Sequence, residues 1–532
     1  MRRCWRGLAR LGMAAGDVDA AAGHYIRAVE LLESVRRSLR GHSHQAGFLE
    51  SWQELAEELL SALHTRPGGE YRVLGWAERL KARALADLLT GQPPDSHVDA
   101  ELARLLEQRE RLRGELDRRV ASLRGEIGAQ MQDAPPQGAS LAAKDVYQAR
   151  SLSDTRRRLQ VLEEQIARRH NAAVEWREGA AFDPVNVHGL LDEQTALISY
   201  YTAGGQLCAL TATQAAGDLR VHPLCVSLAD VEARWWRTRR LIARPAARPA
   251  DVQARLAYFW DILIEPLAGF LHQKTRLLIV PHRGLFHVPF AGLYDAQNER
   301  YLVERWAVHL APSVTILERC KQRTPGARPS LLVGFSGHPD QPDHLPGVET
   351  EVRALSGLFP EADVLLGEMA TPQGVLAAAF GRSFVHLAGH AFYDSSEPLE
   401  SGVPLAGGRW LRASDLYLRY GHLGGATVVL SGCSAGRGRP TGGEILGLTS
   451  AFLYAGAAGV VTSLWRVDDA ATCELMCAFH RRLCAGLDTA EALCQAQLEL
   501  LQGGQYTSPY YWAPFELCGD RRADPPIEDQ SD

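Results

Sequence analysis

The spacing of apolar residues changes character once along the chain. In the first part the steps are those of helices. Leu8, Leu11 and Gly12 precede a polar turn at Gly16–Asp17, and Ala21, Tyr25, Ala28, Val29 and Leu32 then fall on one helical face. This predicts a helical hairpin over about 5–38. Helices are also predicted from Gln45 to His64, on Phe48, Trp52, Leu55, Leu59 and Leu63, and from Glu70 to Leu89, on Trp76, Leu80, Ala84 and Leu88. Gly91–Pro94 is a stop. Two strongly charged helices follow, with Leu102, Leu105, Leu112, Leu116, Leu123 and Ile127 in the first and Leu159, Leu162 and Ile166 in the second. A Pro/Gly-rich turn at Asp133–Gly138 separates them, so they read as an antiparallel hairpin with a narrow apolar seam. Such a hairpin is either a solvated spacer or a partner-binding arm.

From about Ala196 short β-type runs alternate with helical ones. The predicted strands are Ala196–Thr202, Leu207–Thr213, Leu277–Val280, Val308–Leu310, Leu331–Phe335, Val364–Leu366, Phe384–Ala388, Val428–Leu430, Val460–Leu464 and Phe515–Cys518. Several are apolar on both faces, as in a parallel sheet covered by helices, and Ser227–Phe270 reads as helical. The fold class expected for this part is α/β, with a mostly parallel sheet flanked by helices, preceded by an all-α region. Ile445–Trp465 is uncharged and almost long enough to cross a bilayer. Gly447, Gly456 and Gly459 break it, so it reads as a buried helix, a glycine stop and a buried strand, and no membrane partner is expected.

Composition narrows the setting. A chain of 532 residues corresponds to two to four domains, and 46% apolar with 23% charged residues is ordinary for a water-soluble protein. A net charge of −6 argues against direct nucleic-acid binding. Met1–Gly16 is basic without a long apolar core, so it is not a secretory leader. Ten cysteines without a paired framework suggest free thiols in a reducing cytoplasm. The first hairpin, with small residues at its crossing and one aromatic, resembles a tetratricopeptide unit. One such unit cannot bury its own face, and stable arrays need at least about three. Either the following helices cover it or the array begins upstream of this sequence.

The residues with catalytic potential lie in two loops. In Phe384–Ala391 a buried strand ends in Gly389, followed by His390. In Thr427–Gly436 a second buried strand ends in small residues with Cys433 at the turn. Ligands and catalytic groups gather at the carboxyl ends of strands in open α/β sheets. A thiol of pKa about 8.5 needs an adjacent imidazole to act as a nucleophile at neutral pH. His390 can supply it. Backbone N–H groups beside Cys433 can hold an oxyanion, worth about 3–4 kcal/mol per donor in one well-studied protease. The order, His before Cys with a separation near the roughly 50 residues of caspases, agrees.

From Leu345 to Asp520 the text resembles the CHAT domain, a caspase-like family attached to tetratricopeptide repeats. The resemblance rests on Leu345–Glu349, His386–His390, Ser431–Gly436, Leu446–Leu448, Ala451–Ala457, Ser463–Asp469 and Tyr510–Phe515. Upstream, Ile279–Pro281 and Val288–Phe290 resemble the family's N-terminal half. The resemblance implies a peptidase of the caspase–separase–gingipain group, with Cys433 and His390 as dyad and no metal or organic cofactor. It implies oxyanion donors at Ala391, Gly432 and Cys433. Ala391 stands where the family usually has Gly, so its backbone must avoid positive φ for the N–H to serve. Arg466 stands where Pro is usual. Trp465, Arg466, Asp468 and Asp469 are substrate-pocket candidates, with Asp468 or Asp469 alternatively capping the next helix. His386 is expected to be a satisfied core histidine or a support for the dyad. Cys473, Cys477, His480 and Cys484 share one helix, whose straight axis cannot wrap them around one metal ion, so they read as packing residues. Asp394–Gly408 reads as a lid or a surface loop.

The organisation expected is therefore a tetratricopeptide-like hairpin at 1–40 and a helical region at 41–180. A CHAT domain follows at 190–520, divided near 300, and then a tail at 521–532. Its partners would be a protein substrate and a regulatory or recruiting protein held by the N-terminal helices. A catalytically degenerate scaffold on the same fold is the alternative.

Overall fold

The computed structural model describes residues 2–38, 54–64 and 68–81, isolated stretches within 104–116 and 153–165, and 183–522 apart from 339–343, 395–397, 418, 420–421, 433–438 and 442–443. Eleven strands form one sheet: β1 (Thr195–Ala203), β2 (Gln206–Ala212), β3 (Leu219–Ser227), β4 (Arg276–Val280), β5 (Ala307–Leu310), β6 (Leu331–Phe335), β7 (Asp363–Leu366), β8 (Phe384–Gly389), β9 (Thr427–Leu430), β10 (Gly459–Ser463) and β11 (Phe515–Gly519). Their spatial order is β3-β2-β1-β4-β5-β11-β10-β9-β8-β6-β7. Strands β10, β9, β8, β6 and β7 are mutually parallel, as are β1, β4, β5 and β11. The two sets meet antiparallel at β10–β11. The sheet is mostly parallel and flanked by helices, with a helical region before it, which is the expected fold class.

The interior strands were predictable because both their faces are buried: β6, β8, β9 and β10 have no exposed residue. The edge strand β3 was not. Its middle reads Arg220–Val221–His222–Pro223, and its burial alternates irregularly. Proline is tolerated only at a sheet edge or bulge, and a bulge does occur where β2 pairs with β3. The uncharged stretch from Ile445 becomes a short strand, helix Leu448–Tyr454, a turn at Gly456 and β10. Among the described residues no helix is long and apolar enough to cross a membrane.

Helices α1 (Arg2–Ala14) and α2 (Val18–Ser38) form the first hairpin, turning at Gly16 with φ +79°. A Cβ on Gly12 would sit 3.2 Å from that of Ala21, so this crossing requires a small residue. The following helical segment, 54–64, is tied to α1 by Glu58, which accepts from Arg6 at 2.7 Å and Arg10 at 2.6 Å. Leu59, Leu63, Val73 and Leu74 pack in one cluster with Leu197, Tyr201, Leu278 and Val280 of β1 and β4. Most of the predicted charged hairpin, including Asp133–Gly138, lies outside the described residues, as does the tail from 523.

The N-terminal helices also dock on the sheet through charge. Helix α3 (Glu70–Leu80) leads into Lys81, whose Nζ donates to Ser199 Oγ at 2.7 Å and lies 3.9 Å from Glu78. Glu78 Oε2 accepts from Val314 N at 2.5 Å. Burial lowers the Lys81 ammonium to about 8 and raises the Glu78 carboxyl. Removing one member strands the other's charge inside the protein. Lys81→Met should therefore destabilise by about 3–5 kcal/mol, whereas joint replacement of Lys81 and Glu78 by apolar residues should cost less. Chemical unfolding of the three proteins tests this, and equal losses for the single and joint variants would contradict a buried ion pair.

Candidate active site

The site forms where β8 and β9 end side by side. The two strands pair in parallel, with Leu387 opposite Leu430, so their carboxyl ends emerge together. Gly389 closes β8 at φ +150°, and a Cβ there would lie 2.7 Å from Phe335 O of β6. Both the conformation and the close approach exclude other residues. His390 follows, buried at 8% exposure, its ring 5.8 Å from that of Phe392.

Gly432, past the end of β9, lies against the same turn. A Cβ on Gly432 would come within 2.5 Å of Gly389 O and 3.1 Å of both Ala391 N and Ala391 Cβ. Ser463, at the end of β10, donates to Gly432 O at 2.7 Å. Thus the residue preceding Cys433 is held on one side by β10 and on the other by the backbone flanking His390. Cys433 itself lies outside the described residues. Ala391 is buried and is not among the described non-glycine residues with positive φ, which are Cys225, Arg283 and Glu299. Alanine is therefore compatible with the backbone at the position where the family usually has glycine.

Behind this turn is a buried polar chain. His386 Nε2 contacts Glu351 Oε1 at 2.7 Å, and His386 Nδ1 contacts His480 Nε2 at 3.2 Å. All three residues are at most 2% exposed. Burial, then the neighbouring His386, hold the His480 imidazole well below its usual range. A neutral His480 can donate from Nε2 to His386 Nδ1, and its own Nδ1 is buried without a hydrogen-bond partner among the described residues. Phe359, Phe384 and Phe479 pack edge-on around His480. His386 thus has a defined support, but Glu351 and His480 were not assigned to it from sequence. Glu351 stands just after the Leu345–Glu349 motif. His480 was visible only as part of the Cys473–Cys484 pattern, in which Cys484 is exposed and His480 fully buried.

The pocket candidates separate. Trp465 is 1% exposed and donates its indole N–H to Tyr510 O at 3.1 Å. Asp468 caps helix α4 (Asp469–Cys484), accepting from Ala470 N and Ala471 N at 3.1 Å each. Asp469 Oδ2 accepts from Gly347 N at 2.7 Å, and burial raises its carboxyl. A Cβ on Gly347 would lie 2.3 Å from that oxygen, so Leu345–Glu349 and Ser463–Asp469 meet at a contact from which a larger residue would push the carboxylate away. Arg466 is exposed. Among the described residues no group of His, Cys, Asp and Glu could hold a metal ion.

Two predictions follow from these contacts. Gly432→Ala should cost about 1–3 kcal/mol because its new methyl meets backbone, and thermal unfolding measures it. His480 is held neutral when folded, so below about pH 6.5 the unfolded chain binds a proton that the native state does not, and stability falls with pH. His480→Gln keeps a donor for His386 without titrating, and should flatten part of that acid slope in urea unfolding. An unchanged slope would argue against a neutral buried His480.

A family model for the CHAT domain matches residues 253–520. Tetratricopeptide repeat protein 28 of Mus musculus is 29% identical over 325 residues, covering 50% of this chain and 13% of that protein. The Homo sapiens protein of the same name is 26% identical over 332 residues, covering 52% and 13%. The chain therefore spans a small part of the length of these relatives. Among solved structures, the separase–securin complex of Saccharomyces cerevisiae aligns with TM-score 0.46 and 11% identity, over 97% of this chain and 47% of that one. The Arg-specific cysteine proteinase gingipain R aligns with TM-score 0.34 and 12% identity, over 56% and 75%. With its family match spanning half of the sequence, and with the motif residues meeting at the ends of β8, β9 and β10, the chain belongs to the CHAT domain family.

Proposed function

We propose that the chain is a cysteine endopeptidase in which Cys433 is the nucleophile and His390 the general base and acid. The observation that carries this reading is the close approach of Gly432 to the Gly389–Ala391 backbone. It sets the residue before Cys433 against the segment bearing His390. His390 takes the Cys433 proton, the thiolate attacks the substrate carbonyl, and the imidazolium then protonates the departing amine. The N–H groups of Ala391, Gly432 and Cys433 are the oxyanion donors in this scheme. None of the described cysteines forms a disulfide, which suits a reducing compartment such as the cytoplasm.

Substrate selection in this reading falls to Arg466. Asp468 and Asp469 are engaged with backbone amides and Trp465 with Tyr510 O, whereas Arg466 is exposed beyond the end of β10. A guanidinium there favours an acidic or polar substrate side chain. Residues 1–180 would recruit the protein substrate or a regulator, and 190–520 would perform the chemistry.

A peptide carrying an acyl electrophile tests the dyad. Wild type should be labelled at Cys433 at least about 100-fold faster than background, and His390→Ala should lower the rate by about 10²–10⁴. Labelling of wild type no faster than of Cys433→Ala, in cell extract containing native partners, would leave a non-catalytic interaction module as the function.

A further inference from the structure

The segment following His390 is anchored by two arginines that come from far away in the chain. Asp415 is 7% exposed, and its Oδ1 accepts from Arg109 at 2.6 Å and Arg113 at 3.2 Å. Its Oδ2 accepts from Arg412 N at 2.9 Å. Arg113 also donates to Glu400 at 2.8 Å and Ser414 Oγ at 3.1 Å, while the other Glu400 oxygen pairs with Arg412 Nε at 3.0 Å. Arg109 and Arg113 are themselves at most 5% exposed. In a site so poorly hydrated, an ion pair with several hydrogen bonds is costly to break from one side.

Glu400 and Asp415 bracket a β-ribbon, Gly402–Leu405 with Arg409–Arg412. That ribbon holds the turn carrying His390. Phe392 N donates to Gly402 O at 2.9 Å, and Gly402 N donates to Phe392 O at 3.0 Å. Ser401 accepts from Asp394 N through its hydroxyl at 3.1 Å and from Ala413 N through its carbonyl at 2.8 Å. The Phe392 ring lies 5.8 Å from His390 on one side and 5.2 Å from Trp410 of the ribbon on the other. A continuous set of contacts therefore runs from the two arginines, through their carboxylate partners and the ribbon, to the imidazole.

We propose that Arg109 and Arg113 are positioning residues for His390. They act by fixing the ribbon against Phe392, so that the helical region upstream of the sheet sets the orientation of the base. The proposal rests on the peptidase reading for its effect on rate. Its structural half stands without that reading. A macromolecule that took hold of the helix bearing Arg109 and Arg113 would thereby act on the site from outside the cleft.

The test uses full-length chain with Arg109→Gln/Arg113→Gln, and with Arg109→Lys/Arg113→Lys as the charge-preserving pair. Amide exchange at Phe392 and Gly402 should accelerate at least about ten-fold in the Gln pair, while His386 and Leu387 within β8 stay protected and report an intact sheet. The Lys pair should recover most of that protection. For electrophile labelling at Cys433, the maximal rate should fall at least about ten-fold with half-saturation unchanged, and the Lys pair should restore it. Should the Gln pair fail to fold, Glu400→Gln, at a partly exposed position, removes one arm alone and should give a smaller loss of the same protection. Unchanged exchange at Phe392 and Gly402 in the Gln pair, or in Glu400→Gln where that pair does not fold, overturns the proposal. If wild type itself is not labelled above Cys433→Ala, the peptidase reading fails, and the exchange result still decides whether the arginines fix the turn.

Discussion

The structure around the site depends on a contact between backbones. Two strands of a parallel sheet end at the same level, and the turns leaving them touch with no side chain between. Gly389 and Gly432 make this possible from opposite sides: the first would drive a methyl into Phe335 O and the second into Gly389 O. The distance between the two turns is thus set by carbonyl and amide groups, which cannot adopt another rotamer to make room. Ser463 fixes the third side by donating to Gly432 O. Side chains added to this frame, His390 first among them, inherit its rigidity. That is the condition for holding reacting groups to within a fraction of an ångström.

The family's motifs take on a physical meaning in this frame. Leu345–Glu349 and Ser463–Asp469 are far apart in sequence, but Gly347 N and the Asp469 carboxylate meet at 2.7 Å. Tyr510–Phe515 accepts the Trp465 indole through Tyr510 O, and Leu464 N donates to Pro514 O. Motif residues that looked like lining for a pocket are thus largely the joints between helices and strands. Asp468 illustrates the difference: of the two roles open to it from sequence, capping is the one its carboxylate has taken.

Legibility followed burial. Strands with two covered faces announce themselves as apolar runs, and β6 spans the predicted Leu331–Phe335. A strand that carries Arg220, His222 and Pro223 at an edge has no such pattern, and β3 is absent from the predicted strands. The ribbon after His390 was read as a lid or loop because its glycines and prolines are those of loops. Its pairing partner, Phe392, also lies in no regular strand. At the site, the turn glycines and His390 could be found because they follow strands directly. Glu351 and His480 could not, since each joins His386 only across the fold, and a buried Glu on a helix looks like any surface Glu in sequence.

Charge was the least readable feature, and with the apolar cluster of Leu59, Leu63, Val73 and Leu74 on β1 and β4 it joins the helical region to the rest of the fold. A seam of leucines in 99–166 surrounded by arginine and glutamate looks the same whether its charges meet water or other charges. The sequence pattern alone therefore leaves both the solvated spacer and the partner-binding arm open. Among the described charges of this stretch, Arg109 and Arg113 are buried. Surface ion pairs contribute little and impose no geometry, whereas a carboxylate such as Asp415, shared by two enclosed guanidiniums, fixes both of its neighbours. The same holds for Lys81 against Ser199 and Glu78 at the far end of the sheet. Two enclosed ionic contacts join helical residues to the rest of the fold, one at β1 and one beside the ribbon that pairs with Phe392. Helical segments attached in this way cannot be displaced without exposing or stranding a charge.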